Sequence, residues 1–373
     1  MVKTDSGARV RLCAPCLFGL EGPLGNELRH MGMENVAPEN GRVLFETDAA
    51  GLARANIPSR FAERILLELG CFPARSFEEL FEGVKAIAFE DWLPRDAAFP
   101  VKGWALESAL HSVPDCQSII KKAAAVRMGA TGALHQIQFT IMKDEARIFL
   151  DTSGTGLHKR GYRPAQVAAP LRETLAAAMV DIAGYRGRGD FCDPFCGSGT
   201  IAIEAALAAK GRAPGISRNF SAEKWPCLPS GIWSVEREAA RAREYNGDYH
   251  IFASDIDPKA VEISRANAKR AGVERLIEFF VADARGFSRP TERGVIVTNP
   301  PYGERLLEKR EAERLYADFG SAFAKAQGWE LYLLSSHTEL ERCLGRSADR
   351  KRRLYNGMIR CELYIYKNGG SRR

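Results

Sequence analysis

From Leu171 to the C-terminus, short apolar segments alternate with helical segments, and this alternation limits the possible folds more than any other feature of the sequence. The apolar segments are candidate strands: Phe191–Asp193, Ile251–Ser254, Ile277–Val281, Val295–Thr298 and Leu331–Ser335. Strands that alternate with helices predict a parallel sheet wrapped by helices. Arg353–Tyr355 and Met358–Tyr366 flank Asn356-Gly357 and predict a closing hairpin.

The chain before this region has a different pattern, in which strands and helices are mixed. Arg11–Phe18 and Gly41–Phe45 are candidate strands on either side of a helix over Gly22–Met31. Further on, a helix over Cys116–Met128 precedes an alternating hairpin over residues 135–151. We predict four parts: domains at residues 1–65 and 66–157, a linker at 158–170, and a domain at 171–373.

Composition excludes several classes of protein. Of 373 residues, 45% are hydrophobic and 27% are charged, which is typical of globular proteins. No apolar run reaches the roughly 18–20 residues of a membrane-spanning helix. The nine cysteines are scattered, and Cys13-Ala-Pro-Cys16 has no second pair, so neither disulfides nor a metal site is predicted. We expect a soluble cytoplasmic protein with no membrane contact and no obligate protein partner.

The positive charge is concentrated in the C-terminal part. Residues 1–157 carry 17 Lys or Arg and 20 Asp or Glu, a net charge of −3, whereas residues 158–373 carry 36 and 27, a net charge of +9. This excess favours a polyanionic partner such as RNA, with contacts shared between local basic patches. The patches hold the candidate RNA-binding residues Lys121, Lys122, Arg127, His158, Lys159, Arg160 and Arg163. Ordinary solvated surface is the alternative interpretation of each.

A glycine loop follows the first strand of the C-terminal domain and opens a helix. It reads Asp193-Pro194-Phe195-Cys196-Gly197-Ser198-Gly199-Thr200. Glycines let the backbone turn tightly and approach a ligand closely, and ligands of such sheets bind beyond the carboxyl ends of the strands. With Ala202 the loop also fits Gly-x-Gly-x-x-Ala, so a dinucleotide site and a plain tight turn stay open as alternatives.

Carboxylates follow the next two strands. Asp255 ends its strand and is a candidate to accept hydrogen bonds from ribose hydroxyls. Asp257 is the alternative for that contact, but it precedes Pro258 and a helix, so we favour Asp255 for the ribose and Asp257 for the N-cap. Asp283 ends the following strand and could accept a hydrogen bond from an adenine amino group, although a solvated loop carboxylate is an equal alternative.

The most specific signal is Asn299-Pro300-Pro301-Tyr302, directly after the Val295–Thr298 strand. Prolines restrict φ and lack N–H donors, so the Pro300 carbonyl and the Asn299 side-chain oxygen can form an acceptor pair for an exocyclic amino group. Tyr302 offers a face on which a base can stack. The four residues are therefore the candidate catalytic residues; a proline-rich turn with a core tyrosine is the alternative.

Together these elements resemble class I S-adenosylmethionine-dependent methyltransferases that act on amino groups. Phe18-Gly19-Leu20-Glu21, Leu157–Arg163 and Asn299–Arg305 resemble THUMP-domain RNA guanine-N2 methyltransferases. This resemblance implies an α/β Rossmann-like domain with a seven-stranded mixed sheet, preceded by an α+β ferredoxin-like and THUMP RNA-binding module. It also implies S-adenosylmethionine as cofactor, held by Asp193, Phe195, Cys196, Gly197, Ser198, Gly199, Thr200, Asp255 and Asp283.

The resemblance implies guanine N2 in structured RNA as the target, with 23S rRNA preferred. A tRNA enzyme, an adenine-N6 enzyme and an inactive RNA-binding module stay open as alternatives. A cytosine-C5 enzyme would need a nucleophilic cysteine, which neither Cys196 nor Cys227 is placed to supply. One departure is the long gap between Gly199 and Asp255, where residues 210–249 resemble an insertion.

Overall fold

The computed structural model describes residues 9–129, 131–164, 171–288, 290–302 and 309–367. The chain forms two compact units. The first contains residues 1–16, 24–157 and 215–239, and the second contains residues 17–23, 158–214 and 240–373. Residues 165–170 of the predicted linker, and Gly303–Arg305 next to the Asn-Pro-Pro-Tyr segment, lie outside the described residues.

The elements of the N-terminal part agree with the mixed pattern of its sequence. They are β1 (Val10–Pro15), α1 (Glu21–His30), β2 (Glu34–Glu39), β3 (Arg42–Thr47), α2 (Ala49–Asn56), β4 (Leu66–Pro73), α3 (Phe77–Lys85), β5 (Val101–Leu106), α4 (Val113–Arg127), β6 (Ile137–Met142) and β7 (Glu145–Asp151).

One seven-stranded sheet runs through the first unit, in the order β2-β3-β1-β4-β7-β6-β5. β1 pairs antiparallel with β4, so the regions predicted as separate domains, residues 1–65 and 66–157, share this sheet. Cys13, Leu44, Leu66 and Phe149 form a buried cluster on β1, β3, β4 and β7. Burial raises the pKa of the Cys13 thiol to about 12, which suits a packing role for this cysteine.

The C-terminal part alternates strands and helices as expected. Its elements are α5 (Glu173–Ile182), β8 (Asp190–Asp193), α6 (Thr200–Ala209), α7 (Ile232–Ala242), β9 (Ile251–Asp255), α8 (Pro258–Ala271), β10 (Ile277–Val281), β11 (Gly294–Thr298), α9 (Lys309–Ala324), β12 (Trp329–Ser335), α10 (Leu340–Leu344), β13 (Arg350–Asn356) and β14 (Ile359–Tyr366).

The sheet of the second unit has the order β10-β9-β8-β11-β12-β14-β13. β8 to β12 are parallel, and β14 is antiparallel to both of its neighbours, which confirms the predicted seven-stranded mixed sheet. The chain moves outward from β8 to β10 and returns on the other side of β8 as β11. This reversal makes the carboxyl ends of β8 and β11 the expected binding crevice.

The closing hairpin lies one residue later than its Asn-Gly signal indicates. Asn356 still pairs with Ile359, so Gly357 and Met358 form the two-residue turn. Gly357 has φ +66°, the left-handed conformation that glycine adopts without strain. The turn therefore uses the predicted glycine, but as its first residue.

The predicted insertion, residues 210–249, is divided between the two units. Residues 215–239 belong to the first unit, where Gly215 N donates to Ile57 O and Ala222 N donates to Thr152 O, at 2.8 and 3.0 Å. The Trp225 ring meets the Trp92 ring edge-on. The predicted single domain at 171–373 is therefore interrupted, because this segment makes backbone hydrogen bonds and a ring contact with N-terminal residues.

Within the described parts of the chain, no helix is long and apolar enough to cross a membrane. No group of three or more His, Cys, Asp or Glu side chains that could hold a metal ion occurs there either. All nine cysteines are free thiols.

Candidate active site

Four polar side chains lie at the carboxyl ends of four neighbouring strands of the second sheet. In spatial order they are Asp283 after β10, Asp255 on β9, Asp193 on β8 and Asn299 after β11. Because these strands are parallel, their carboxyl ends lie along one edge of the sheet. Residues predicted from separate motifs therefore form one row.

The backbone conformation of the loop after β8 explains why two of its residues are glycines. Gly197 and Gly199 have φ +52° and +79°, both left-handed. A Cβ on Gly199 would lie 3.0 Å from the Ser264 Cβ. Asp255 Oδ2 accepts from Gly197 N at 2.9 Å, so the carboxylate of β9 holds the loop from the side.

Two residues of α8, Ser264 and Asn267, also hold this loop, and sequence reasoning missed them. Ser264 Oγ donates to Gly197 O at 2.7 Å, and Asn267 Nδ2 donates to Ser198 O at 3.0 Å. Both are fully buried. A polar pair at i and i+3 on the apolar side of an amphipathic helix is the signal that could have identified them.

The Asp193 carboxyl is buried, and only one of its two oxygens accepts hydrogen bonds from described residues. Its Oδ1 accepts from Thr298 Oγ1 at 2.7 Å and from Phe195 N at 3.2 Å, whereas Oδ2 is buried without a partner among the described residues. Burial raises the pKa of Asp193 to about 7. A buried acceptor without a donor is the feature expected where a ligand supplies one.

The carboxylates of Asp257 and Asp283 accept hydrogen bonds from different kinds of donor. Asp257 caps α8 by accepting from Lys259 N, which confirms the predicted N-cap, and Asp257 N in turn donates to Asp255 Oδ1 at 3.0 Å. Asp283 accepts from the backbone N and the guanidinium of Arg285, which lowers its pKa. An adenine contact by Asp283 would therefore share this carboxylate with Arg285.

The remaining loop residues are anchored by packing and by polar contacts. The Phe195 ring meets the Phe319 ring edge-on at 5.2 Å. The Cys196 thiol is buried 3.6 Å from Ser264 Oγ, and burial strongly raises its pKa. Ser198 Oγ lies 3.3 Å from Thr200 Oγ1, at the start of α6. These contacts favour a contribution by the backbone rather than by the Cys196 side chain.

The Asn299–Tyr302 segment is held from inside the domain. The Tyr302 hydroxyl donates to Asn299 Oδ1, and the Cys361 thiol lies 3.8 Å from the same hydroxyl. The Tyr316 hydroxyl, fully buried on α9, donates to Pro301 O at 2.6 Å. Sequence reasoning missed Tyr316, because nothing in its local pattern distinguishes it from a core residue.

Two residues predicted to contact RNA are buried instead. Arg160 forms an ion pair with Glu204, and the two side chains are 2% and 0% exposed. Arg163 donates to Leu171 O and Thr200 Oγ1, at 2.6 and 2.8 Å, and pairs with Glu173. That prediction is therefore wrong for Arg160 and Arg163, whose charges are used inside the second unit.

The other candidate RNA contacts remain accessible to different degrees. Lys121, Lys122 and Lys159 are exposed, and His158 is half-buried. Lys121 lines a groove with Phe99, Pro100 and Leu134 in the first unit. Arg127 is engaged by the Glu90 carboxylate and by Lys85 O, so its charge is already partly compensated.

Comparisons with known proteins agree with this geometry. The fold and the strand-edge site define a class I methyltransferase domain, and a family model described as an RMKL-like methyltransferase domain matches residues 160–365. An RlmL ferredoxin-like domain matches residues 11–66, and a THUMP domain matches residues 74–151. The chain belongs to the family of RNA methyltransferases that combine these three domains.

Individual relatives support the same family. "Putative RNA methyltransferase YpsC" of Bacillus subtilis is 43% identical over 95% of both chains. The ribosomal RNA large subunit methyltransferase K/L of Psychromonas ingrahamii is 36% identical over 95% of this chain, which spans only 49% of that longer protein. The crystal structure of SMU.472 complexed with SAH has a TM-score of 0.91 and is 37% identical, over 98% of this chain and 99% of that one.

Proposed function

We propose that this protein transfers a methyl group from S-adenosylmethionine to the N2 amino group of a guanine in structured RNA, with 23S rRNA as the preferred substrate. The observation that carries the proposal is the adjacency of β8 and β11, which brings the glycine loop and Asn299-Pro300-Pro301-Tyr302 to one strand edge. An rRNA substrate accords with the cytoplasmic location that the sequence predicts.

The donor site is assigned from the row of carboxylates. Asp193 Oδ2, buried and unpartnered among the described residues, accepts from the ammonium of the methionine end. Asp255 accepts from ribose hydroxyls, and Asp283 accepts from the adenine amino group. The glycine loop lies between them because Gly197 and Gly199 let its backbone approach the donor closely. Bound there, S-adenosylmethionine supplies an electrophilic methyl group.

The target amine is held by two acceptors. An aryl amine is a weak nucleophile because its lone pair is delocalised into the ring. The Asn299 side-chain oxygen and the Pro300 carbonyl accept its two hydrogens and direct the lone pair at the methyl carbon. The N–C bond forms as the C–S bond breaks, and the electron pair of the C–S bond stays on sulfur, which becomes a neutral thioether. The alkylated nitrogen then loses its extra proton to solvent. Positioning and electrostatics supply most of the rate acceleration.

Tyr302 has two functions in this proposal. Its hydroxyl, which donates to Asn299 Oδ1, orients the acceptor before the base arrives. Its ring then stacks on the extruded base, which offsets part of the few kcal/mol lost on unstacking. Because Oδ1 can accept more than one hydrogen bond, the tyrosine and the amine can share it.

The acceptor pair suits adenine N6 as well as guanine N2, so the choice of guanine rests on the family resemblance. Incubation with S-adenosylmethionine and unmodified 23S rRNA, tRNA or DNA, followed by nucleoside mass spectrometry, distinguishes them. N2-methylguanosine in rRNA is the expected product. N6-methyladenosine would contradict the guanine assignment, and a product only in tRNA would contradict the rRNA assignment.

Asn299→Ala tests the mechanism in the same assay. We expect loss of methyl transfer with unchanged affinity for S-adenosylhomocysteine in calorimetry, since the side chain serves the base and not the donor. Full activity in this variant would contradict the acceptor role of Asn299. A wild-type chain that binds RNA and S-adenosylhomocysteine but methylates no nucleic acid would support the inactive RNA-binding alternative.

A further inference from the structure

The closing hairpin extends past the edge of the sheet at which the candidate active site lies. β14 pairs with β12 only as far as Glu362 opposite Ser335, the last residue of β12. β13 and β14 continue to pair with each other up to Asn356 and Ile359. The tip of the hairpin therefore projects beyond the carboxyl ends of the parallel strands, where ligands of such sheets bind.

One side of this tip adjoins the segment proposed to hold the target base. Residues on neighbouring strands that pair directly have side chains on the same face of a sheet. Leu354 pairs with Cys361, whose thiol lies 3.8 Å from the Tyr302 hydroxyl. The hairpin is therefore continuous with the proposed base pocket.

The opposite side of the tip carries cationic and aromatic side chains. Tyr355 pairs with Arg360, and Arg353 pairs with Glu362. Arg353 and Arg360 are 58% and 60% exposed, and both approach the single carboxylate of Glu362, at 3.7 and 3.5 Å. Two guanidinium groups beside one carboxylate leave a net positive charge on this face.

Phe18 and Gly19, which are distant from the hairpin in sequence, lie beside the face of the hairpin that carries Tyr355. Phe18 is 55% exposed, and its ring meets that of Tyr355 edge-on, with centroids 5.9 Å apart. Gly19 holds it there: Arg352 Nη2 donates to Gly19 O at 2.7 Å, and Gly19 has φ +90°. A Cβ on Gly19 would lie 2.8 Å from Arg353 O, so this contact excludes a larger residue.

We propose that Phe18, Arg353, Tyr355, Met358 and Arg360 form a hairpin platform that binds the RNA nucleotides flanking the target base. Phe18 and Tyr355 stack on neighbouring bases, which aromatic rings do without sequence preference. Arg353 and Arg360 contact the phosphates. Met358, fully exposed at the tip, supplies an apolar contact where the strand is opened. The proposal rests on the proposed function, because it takes RNA as the substrate.

Charge complementarity favours RNA over a protein partner. On the face of the hairpin that carries Tyr355, β13 supplies Lys351 and Arg353, and β14 adds Arg360. Glu341 forms an ion pair with Lys351, and Glu362 lies beside Arg353 and Arg360, so the cations still outnumber the carboxylates. Aromatic rings among surplus cations match a single strand, whose bases and phosphates alternate.

The experiment measures binding of the 373-residue chain to unmodified 23S rRNA transcribed in vitro. Tyr355→Ala and Phe18→Ala should each weaken binding about tenfold, whereas Tyr355→Phe should stay within about twofold of wild type because it keeps the stacking ring. Arg360→Ala should lower the salt slope by about one. The matched control is Arg270→Ala, an exposed cation in the last turn of α8, at the opposite edge of the sheet.

Affinity for S-adenosylhomocysteine and the melting temperature should match wild type in every variant. Wild-type RNA affinity in both Tyr355→Ala and Phe18→Ala would overturn the platform, as would equal effects of Arg360→Ala and Arg270→Ala. Weaker binding accompanied by weaker S-adenosylhomocysteine binding would also overturn it, because the role would then be structural.

The platform and the proposed function fail in different ways. If wild type forms N2-methylguanosine in rRNA while the variants bind rRNA normally, the platform fails alone. If wild type methylates only DNA, and the platform variants lose DNA affinity instead, both proposals fail together.

Discussion

At the scale of single residues, the Asp193 carboxyl should make donor binding dependent on pH. Its pKa of about 7 means that the carboxyl is mostly protonated at pH 6 and mostly ionised at pH 8. If the ionised form binds the donor ammonium, affinity for S-adenosylhomocysteine should rise about tenfold between these pH values. Calorimetry of wild type and Asp193→Asn checks this, since the variant should bind weakly and lose the pH dependence.

The raised pKa of Asp193 affects the stability of the fold in the opposite direction to donor binding: a rise in pH favours binding but lowers the free energy of unfolding. The folded protein holds this proton more tightly than the unfolded chain, whose carboxyl has a pKa of about 4. Asp193 therefore stabilises the fold most below that value, and its contribution is lost as the pH rises toward about 7. For the binding prediction, an affinity of wild type for S-adenosylhomocysteine that does not change with pH would contradict the contact between Asp193 and the donor ammonium.

Tyr316 is predicted to be a positioning residue. Tyr316→Phe removes the donor to Pro301 O, a partly buried hydrogen bond whose loss should cost about 1 kcal/mol. We expect the single-turnover methylation rate to fall about tenfold by loosening the Asn299–Tyr302 segment, with S-adenosylhomocysteine affinity unchanged. The matched control is Tyr332→Phe, a buried tyrosine on β12 whose hydroxyl bonds Glu330. Equal rates in the two variants would refute the positioning role.

At the scale of elements, the junction of β9 and α8 separates two aspartates with different functions. Asp255→Ala removes the acceptor of Gly197 N as well as the proposed ribose contact, so S-adenosylhomocysteine affinity should fall about tenfold. Asp257→Ala removes only the N-cap and should cost about 1 kcal/mol of stability. Calorimetry and urea unfolding of both variants test the assignment, which fails if their effects are exchanged.

The start of the predicted linker offers a similar contrast between buried and exposed cations. Arg163→Ala leaves Glu173 buried without its partner, so it should reduce the free energy of unfolding by about 3–5 kcal/mol. Lys159→Ala, at an exposed position, should change it by less than about 0.5 kcal/mol. Urea unfolding measures both. A fully stable Arg163→Ala protein with a reduced RNA salt slope would restore Arg163 as an RNA contact.

At the scale of the whole molecule, RNA binding should involve both units, although the excess charge lies in the second. Lys121→Ala/Lys122→Ala should lower the salt slope of 23S rRNA binding by about two, because each lost phosphate contact lowers it by about one. Lys269→Ala/Arg270→Ala, an adjacent pair of exposed cations on α8, is the matched control. Filter binding from low to moderate salt measures the slopes. Identical slopes in the two double variants would restrict RNA binding to the second unit.

Local patterns in the amino-acid sequence were enough to predict the type of most elements and the position of the candidate site along the chain. Apolar periodicity and turn residues act over a few neighbours, so β8 to β12 and the capped start of α8 were predictable. A parallel sheet brings its carboxyl ends to one edge whatever its side chains are, so Asp193, Asp255, Asp283 and Asn299 could be placed in one row.

Long-range packing determines which polar groups and rings contact each other. Arg160 and Glu204 are 44 residues apart, and Phe18 meets Tyr355 across most of the chain, so no local pattern indicates either contact. Likewise, β1 pairs with β4, and residues 215–239 pack within the first unit. These outcomes depend on burial and pairing between distant segments. The sequence around a charged or aromatic residue does not indicate whether its side chain will face solvent or pack against a distant partner.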